Sequence, residues 1–155
     1  MTFPNVFDKD ESIKLVGRVN SLNAESKASW GKMNVAQLMA HCNVTYDYVF
    51  EPNKYEKPSG FKKWMIKTFV KGSVLGPKPY KRNSPTAPDF KAAGESSANF
   101  DIEKDKLIGN IIKVQDLGES HFDGAESHSF GQLNIEEWNT MFYKHLDHHL
   151  TQFGV

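Results

Sequence analysis

The chain has 155 residues and no net formal charge, and its aromatic content of 12% is that of a folded protein. This length suits a single core, so we expect residues 1–155 to form one domain. A neutral chain is not typical of a nucleic-acid-binding protein. The charge is unevenly spread, however: between Lys54 and Lys91 ten Lys and Arg residues face two acidic ones, a net of +8, and the remainder carries −8.

Cys42 is the only cysteine, which excludes an internal disulfide and a cysteine-rich zinc cluster. A metal site would therefore have to be built from histidines and carboxylates. No stretch approaches the roughly twenty apolar residues that cross a bilayer, and the first residues lack a signal pattern. These absences favour a cytoplasmic protein that does not act at a membrane.

The apolar spacing is mostly helical. It predicts a first helix over residues 8–22, with Ile13 and Val19 on the face toward the core. It predicts a second helix over residues 34–50, in which Asn34 is the N-cap.

Residues 61–74 combine an apolar stripe with a basic one, each at four-residue steps, and this pattern predicts a basic amphipathic helix. The apolar stripe contains Phe61, Met65 and Phe69, and the basic stripe contains Lys63, Lys67 and Lys71. The lysines either attract an anionic ligand or form a solvated helix face. A third interpretation, less favoured, is that this helix lies at a membrane surface.

A long proline-rich loop is expected over residues 76–99, followed by a helix over 102–117 and a last helix that begins after Asn134 and runs to about 153. Strand patterns are not sustained anywhere. We therefore predict an all-α fold, an antiparallel four-helix bundle with an extra short basic helix and a long crossover loop.

The most informative residues are the histidines. His145 and His149 are four residues apart on the last predicted helix, near enough for both imidazoles to bind one ion. On a helical wheel they lie about 80° and 40° from the centre of the apolar stripe, whereas His148 lies about 140° away and is expected in solvent. His41, in the middle of the second helix, is the natural third ligand. Three imidazoles suit zinc, nickel or iron.

Other polar residues carry weaker signals. His121 and His128 lie in a glycine-rich segment as ligands, supporting groups or solvated side chains, the last being the simplest. Asp47 is expected to be a surface charge. Cys42 falls in the apolar stripe of its helix, which argues against a role as nucleophile.

Two motifs carry a family resemblance. The first is WGKMNVAQLMAHC at residues 30–42, and the second joins FGQL at 130–133, EW at 137–138 and YKHLDHHLTQFG at 143–154. They resemble the DinB-like superfamily, and more narrowly an uncharacterised bacterial branch of it. The resemblance implies a four-helix bundle in which His41, His145 and His149 hold a divalent metal ion, and a homodimer.

It also implies a reaction on a small molecule, which the basic segment suggests is anionic. This reaction is a metal-dependent hydrolysis or the transfer of a low-molecular-weight thiol such as bacillithiol, mycothiol or glutathione, with no catalytic side chain assigned. The alternative is a non-catalytic bundle that the metal stabilises, acting as a binding or stress-response module.

Overall fold

The computed structural model describes residues 1–155 as a mostly helical chain. Its α-helices are α1 (Lys9–Asn20), α2 (Val35–Phe50), α3 (Gly60–Met65), α4 (Lys71–Leu75), α5 (Pro88–Gly94), α6 (Phe100–Leu117), α7 (Glu119–Phe122) and α8 (Ile135–Gln152). A π-helical segment, Ile66–Val70, joins α3 to α4. The strands β1 (Glu126–Ser127) and β2 (Gly131–Gln132) form a small antiparallel ribbon that the sequence patterns did not predict. None of the helices combines the length and apolar character that a membrane crossing requires.

Helices α2 and α8 begin with the same device, a capping box. The side chain of Asn34 accepts a hydrogen bond from the backbone of Gln37, whose own side chain accepts one from the backbone of Asn34. Asn134 and Glu137 repeat the arrangement in α8. Each box satisfies backbone donors that a helix start leaves free. The predicted starts of both helices are therefore confirmed.

The core is built mainly from α1, α2, α6 and α8. Val19, Met39 and Leu107 are completely buried, and each comes from a different helix. The predicted placement of Ile13 is wrong, because this side chain is exposed and Leu15 is buried instead. Residues 15, 19 and 22 follow the helical period, whereas position 13 lies about 200° from position 15.

Helices α2 and α8 run antiparallel along their contact. Tyr46 stacks on Phe142 with ring centroids 5.5 Å apart, and Thr45 meets His145. His41, earlier in α2, meets His149, later in α8. In these contacting pairs the residue number rises along α2 as it falls along α8. The middle of α2 therefore lies opposite the last turns of α8.

The predicted loop over residues 76–99 contains a helix. Pro88 occupies the first turn of α5, where a missing backbone N–H costs nothing. α5 packs against α2, and the hydroxyl of Tyr48 donates to Asp89 over 2.8 Å. The prediction of an irregular loop over residues 76–99 was wrong, because the prolines of this segment were interpreted as signs of a loop although one of them begins a short helix.

Asp47 was expected at the surface but is buried. Its two carboxylate oxygens each accept one lysine, Lys54 and Lys106, at 2.6 Å. A carboxylate enters the interior of a protein only with such partners. The ion pairs join α2 to α6 and to the segment that follows α2.

Candidate metal centre

Three histidines from α2 and α8 converge at the interface between the two helices. One ring nitrogen of each of His41, His145 and His149 lies within 4.8 Å of those of the other two. His41 and His149 are only 5% and 8% exposed, and His145 is partly buried. The structure therefore brings together the three residues that the sequence singled out, in a cluster that could hold a metal ion.

The closest approach within the cluster joins the Nε2 atoms of His41 and His145, which are 3.2 Å apart. Two nitrogens that share one ion at about 2.05 Å in tetrahedral geometry are separated by about 3.3 Å. The observed spacing therefore fits two ligands of one ion. His149 packs against both, with ring centroids 4.5 Å from His41 and 4.8 Å from His145.

Each imidazole has a hydrogen-bond partner at Nδ1. Nδ1 of His41 donates to the backbone carbonyl of Phe90 over 2.9 Å, and Nδ1 of His149 donates to Oε1 of Gln152 over 2.8 Å. Nδ1 of His145 lies 3.1 Å from the hydroxyl of Thr45. Histidines that bind metal ions characteristically use their second ring nitrogen in this way.

These hydrogen-bond partners determine the tautomer of the imidazole rings. An amide or peptide oxygen only accepts, so His41 and His149 carry their hydrogen on Nδ1 and present the lone pair of Nε2. The hydroxyl of Thr45 accepts as readily as it donates, and it allows His145 the same form. The cluster thus offers Nε2 lone pairs, the donor set that a divalent cation requires.

The cluster is also arranged to stay uncharged. Burial lowers the pKa of all three histidines, aided by the proximity of other histidines. For His149 the pKa falls to about 3, although the hydrogen bond to Gln152 acts in the opposite direction. Imidazoles must be neutral to bind a metal ion, so the site is ready for one at neutral pH.

Helix α5 covers the cluster. The ring of Phe90 contacts those of His41 and His145, each with centroids 5.3 Å apart. At the end of α5, Gly94 allows a close approach, since an added Cβ would lie 2.7 Å from Sδ of Met33 and 3.6 Å from Nδ1 of His41. The proline-rich region thus supplies both a hydrogen-bond acceptor and an apolar cover.

The remaining histidines lie outside the cluster. His148 was expected in solvent but is partly buried, edge-on to Trp30 and Tyr80, while His121 is exposed. His128 was expected in solvent but is buried, stacked on Tyr48 with ring centroids 3.8 Å apart. None of the three shares the interface where His41 meets His149.

Three supporting residues were missed by sequence reasoning. Thr45 follows His41 by four positions, and Gln152 follows His149 by three, so helical spacing could have placed both beside the cluster. Phe90 carries no such signal. It acts through its carbonyl oxygen and lies 49 residues from His41, so only the tertiary structure reveals its role.

Gln152 is the supporting residue whose role is easiest to test. It joins His149 to the chain before α2, because its Nε2 donates to the carbonyl of Trp30 over 2.7 Å. Gln152→Leu should weaken metal binding about 10- to 100-fold, the usual cost of losing such a partner. Competition with a chelator measures this, and Thr151→Ala, an exposed neighbour, is the matched control. Equal affinity in Gln152→Leu and wild type would show that this hydrogen bond does not support the site.

Comparison with known proteins gives one match. No curated protein and no solved structure matches the chain significantly. A family model described as "Protein of unknown function (DUF1569)" matches residues 7–154, which is nearly the whole chain and includes all three clustered histidines. The chain therefore belongs to this family.

Proposed function

We propose that the protein binds one divalent metal ion through the Nε2 atoms of His41, His145 and His149 and acts as a metal-dependent enzyme on a small molecule. The observation that carries the proposal is the different environment of the two nitrogens of each imidazole ring. Each Nδ1 has a hydrogen-bond partner, and the Nε2 atoms of His41 and His145 lie 3.2 Å apart. That separation is the one expected of two imidazoles that share an ion, and a ring nitrogen of His149 lies within 4.8 Å of those of the other two.

The proposal extends to the fold family, a DinB-like four-helix bundle in one domain. Its support is the order of the long helices. α1, α2, α6 and α8 are the four longest elements, and the clustered histidines come from the second and the last of them. This is the arrangement that the resemblance implied. A homodimer is part of the same proposal.

We propose zinc, nickel or iron as the ion, because imidazole suits each of them. Such an ion, when bound, would act as a Lewis acid and lower the pKa of a thiol or a water molecule beside it. The chain offers no thiol of its own, since Cys42 is 1% exposed and burial raises the pKa of its thiol. The nucleophile would therefore come from a substrate, which favours a low-molecular-weight thiol or water.

A positively charged side chain lies near His148, just outside the cluster. The guanidinium of Arg82 is 4.1 Å from the ring centroid of Trp30, which in turn contacts His148. Arg82 is exposed and has no carboxylate within 4.0 Å, so its charge is available to a ligand. By contrast, Lys63 and Lys71 are paired with glutamates. An anionic substrate would thus be guided by Arg82 rather than by those lysines.

A cobalt-substituted sample tests this function. Adding glutathione should change the visible spectrum, because a thiol next to the ion alters its electronic transitions. S-methylglutathione keeps the charges of glutathione but lacks the thiol hydrogen, so it should leave the spectrum nearly unchanged. Arg82→Ala should weaken the response to glutathione without removing cobalt. If glutathione and other small thiols left the visible spectrum of the cobalt protein unchanged, this result would contradict the thiol-transfer function.

The second candidate is the non-catalytic bundle, and the burial of the site favours it. With His41 and His149 almost inaccessible and Phe90 lying against His41 and His145, an ion would have little room for a substrate. In that case the ion would contribute folding energy alone. The two functions differ in the cobalt experiment, since a purely structural ion would not respond to any thiol.

A further inference from the structure

Residues 60–75, which comprise α3, the π-helical segment and α4, form an arm with large apolar side chains in solvent. Phe61 is 72% exposed, Trp64 is 55% exposed and Phe69 is 68% exposed. Met65 and Val70 are exposed as well. Soluble monomers rarely keep a contiguous group of such side chains in water unless it contacts something.

The aromatic side chains of the arm form one cluster. Phe61 stacks on Trp64 with ring centroids 5.5 Å apart, and Trp64 meets Phe69 edge-on at 6.1 Å. We call Phe61, Trp64, Met65 and Phe69 the aromatic face. It is a continuous surface that spans both α3 and the π-helical segment.

The orientation of the arm is fixed by its opposite side. Lys63 binds Glu126 at 3.2 Å, Lys71 binds Glu137 at 2.7 Å, and Ile66 packs against the core. The buried ammonium of Lys144 also holds the end of α4 through backbone carbonyls. The basic stripe of the sequence thus turns toward the protein, and the apolar stripe turns away from it.

Unpaired lysines lie in the same segment as the aromatic face. Lys62 lies about 100° from Phe61 around α3. Lys67 belongs to the π-helical segment, and its ammonium lies 3.6 Å from the position of an added Cβ on Gly131. Both lysines are exposed and neither has a carboxylate within 4.0 Å. No acidic residue occurs between Lys57 and Pro88. The aromatic face therefore lies in a segment that carries unpaired positive charge and no negative charge.

We propose that the arm binds the surface of a membrane that contains anionic lipids, with the aromatic face inserted at the level of the headgroups. Phe and Trp favour this region, and lysine side chains near them reach the lipid phosphates and carboxylates. The stems of these lysines cover apolar surface while their ammonium groups stay in water. The chain is thus a peripheral membrane protein, which was the less favoured interpretation of residues 61–74.

The unpaired positive charges disfavour a second copy of the chain as the occupant. In a two-fold dimer the same patch meets itself, so the aromatic faces could pack only by bringing lysines of like charge together. An anionic bilayer complements both parts of the surface at once. The attraction of Lys62 and Lys67 to lipid should be screened by salt.

Vesicle co-sedimentation with the full-length protein tests the proposal. The protein should bind vesicles of equimolar phosphatidylserine and phosphatidylcholine at low salt, and binding should fall at least about tenfold in about 0.5 M salt. A double variant, Phe61→Ser with Phe69→Ser, should lose binding about tenfold or more. Ile102→Ser, which changes an exposed apolar residue of α6, is the matched control and should bind like wild type.

A charge variant gives a second and independent measurement. Lys62→Glu with Lys67→Glu keeps the aromatic face but should abolish the preference for anionic vesicles. Light scattering on the same samples tests the alternative that a second copy of the chain binds the aromatic face. A wild-type dimer that Phe61→Ser with Phe69→Ser converts to a monomer would identify a second copy and overturn the proposal. Failure of the wild type to bind anionic vesicles would overturn it too.

Discussion

Replacing His145 by alanine should remove the metal ion from the purified protein, with bound metal falling from about one ion per chain to nearly none. His145 contacts both other members of the cluster, since its Nε2 lies 3.2 Å from that of His41 and its ring contacts that of His149. Two remaining imidazoles rarely hold an ion. The affinity should therefore fall by more than the about 10- to 100-fold that a lost supporting hydrogen bond costs.

His148→Ala is the matched control for this variant. His148 is next to His149 on α8, and their ring centroids are 5.0 Å apart, but it packs on Trp30 and Tyr80 outside the cluster. It should keep a full complement of metal. Elemental analysis after dialysis, with thermal unfolding with and without a chelator, measures both effects. Loss of metal from His148→Ala and its retention by His145→Ala would contradict the proposed ligands.

The parts of the site that could be predicted from sequence are those that local rules determine. Asn34 and Asn134 mark the starts of α2 and α8, because an N-cap depends on residues three positions away. The four-residue spacing of His145 and His149 puts both on one face of α8 regardless of what packs there. These local rules are enough to predict that His145 and His149 lie together on one face of α8.

What could not be predicted depends on contacts between distant segments. The carbonyl of Phe90 reaches His41 only because α5 folds back over α2, and prolines near α5 suggested an irregular loop instead. Asp47 is buried because Lys54 and Lys106 arrive from two other segments. An isolated aspartate in a helix gives no indication of such partners.

The arm shows the limit of amphipathic patterns. Its two stripes were correctly separated, but hydrophobicity alone predicts that the apolar stripe faces the protein. The buried ammonium of Lys144 holds the end of α4, and Ile66 packs against the core. Together with the ion pairs of Lys63 and Lys71, these contacts turn the apolar stripe away from the protein. A pattern within one helix gives the relative positions of its faces, whereas the neighbouring surface decides which face is buried.

Lys144→Met should lower the free energy of unfolding by about 3 kcal/mol, because the carbonyls of Ser73 and Gly76 lose this donor. The carbonyl of Val74 keeps its hydrogen bond from the hydroxyl of Tyr80. Lys144 is only 3% exposed, and its ammonium donates to the carbonyls of Ser73, Val74 and Gly76 over 2.8, 3.2 and 2.9 Å. An ammonium has three hydrogens, and each finds an acceptor here. Methionine fills a similar space but supplies none of these hydrogen bonds.

Lys71→Met is the matched control for Lys144→Met, because it removes the same group from a surface contact between the arm and α8. The ammonium of Lys71 binds Glu137 in a partly exposed ion pair, so its loss should cost less than about 1 kcal/mol. Urea unfolding of the metal-free proteins compares the two variants without any effect of the ion. Hydrogen exchange should be faster over residues 71–76 in Lys144→Met alone, since these amides depend on the end of the arm being held. If the two variants were equally stable, the arm would be held by its surface ion pairs, and the buried ammonium would not anchor it to the helix that carries His145 and His149.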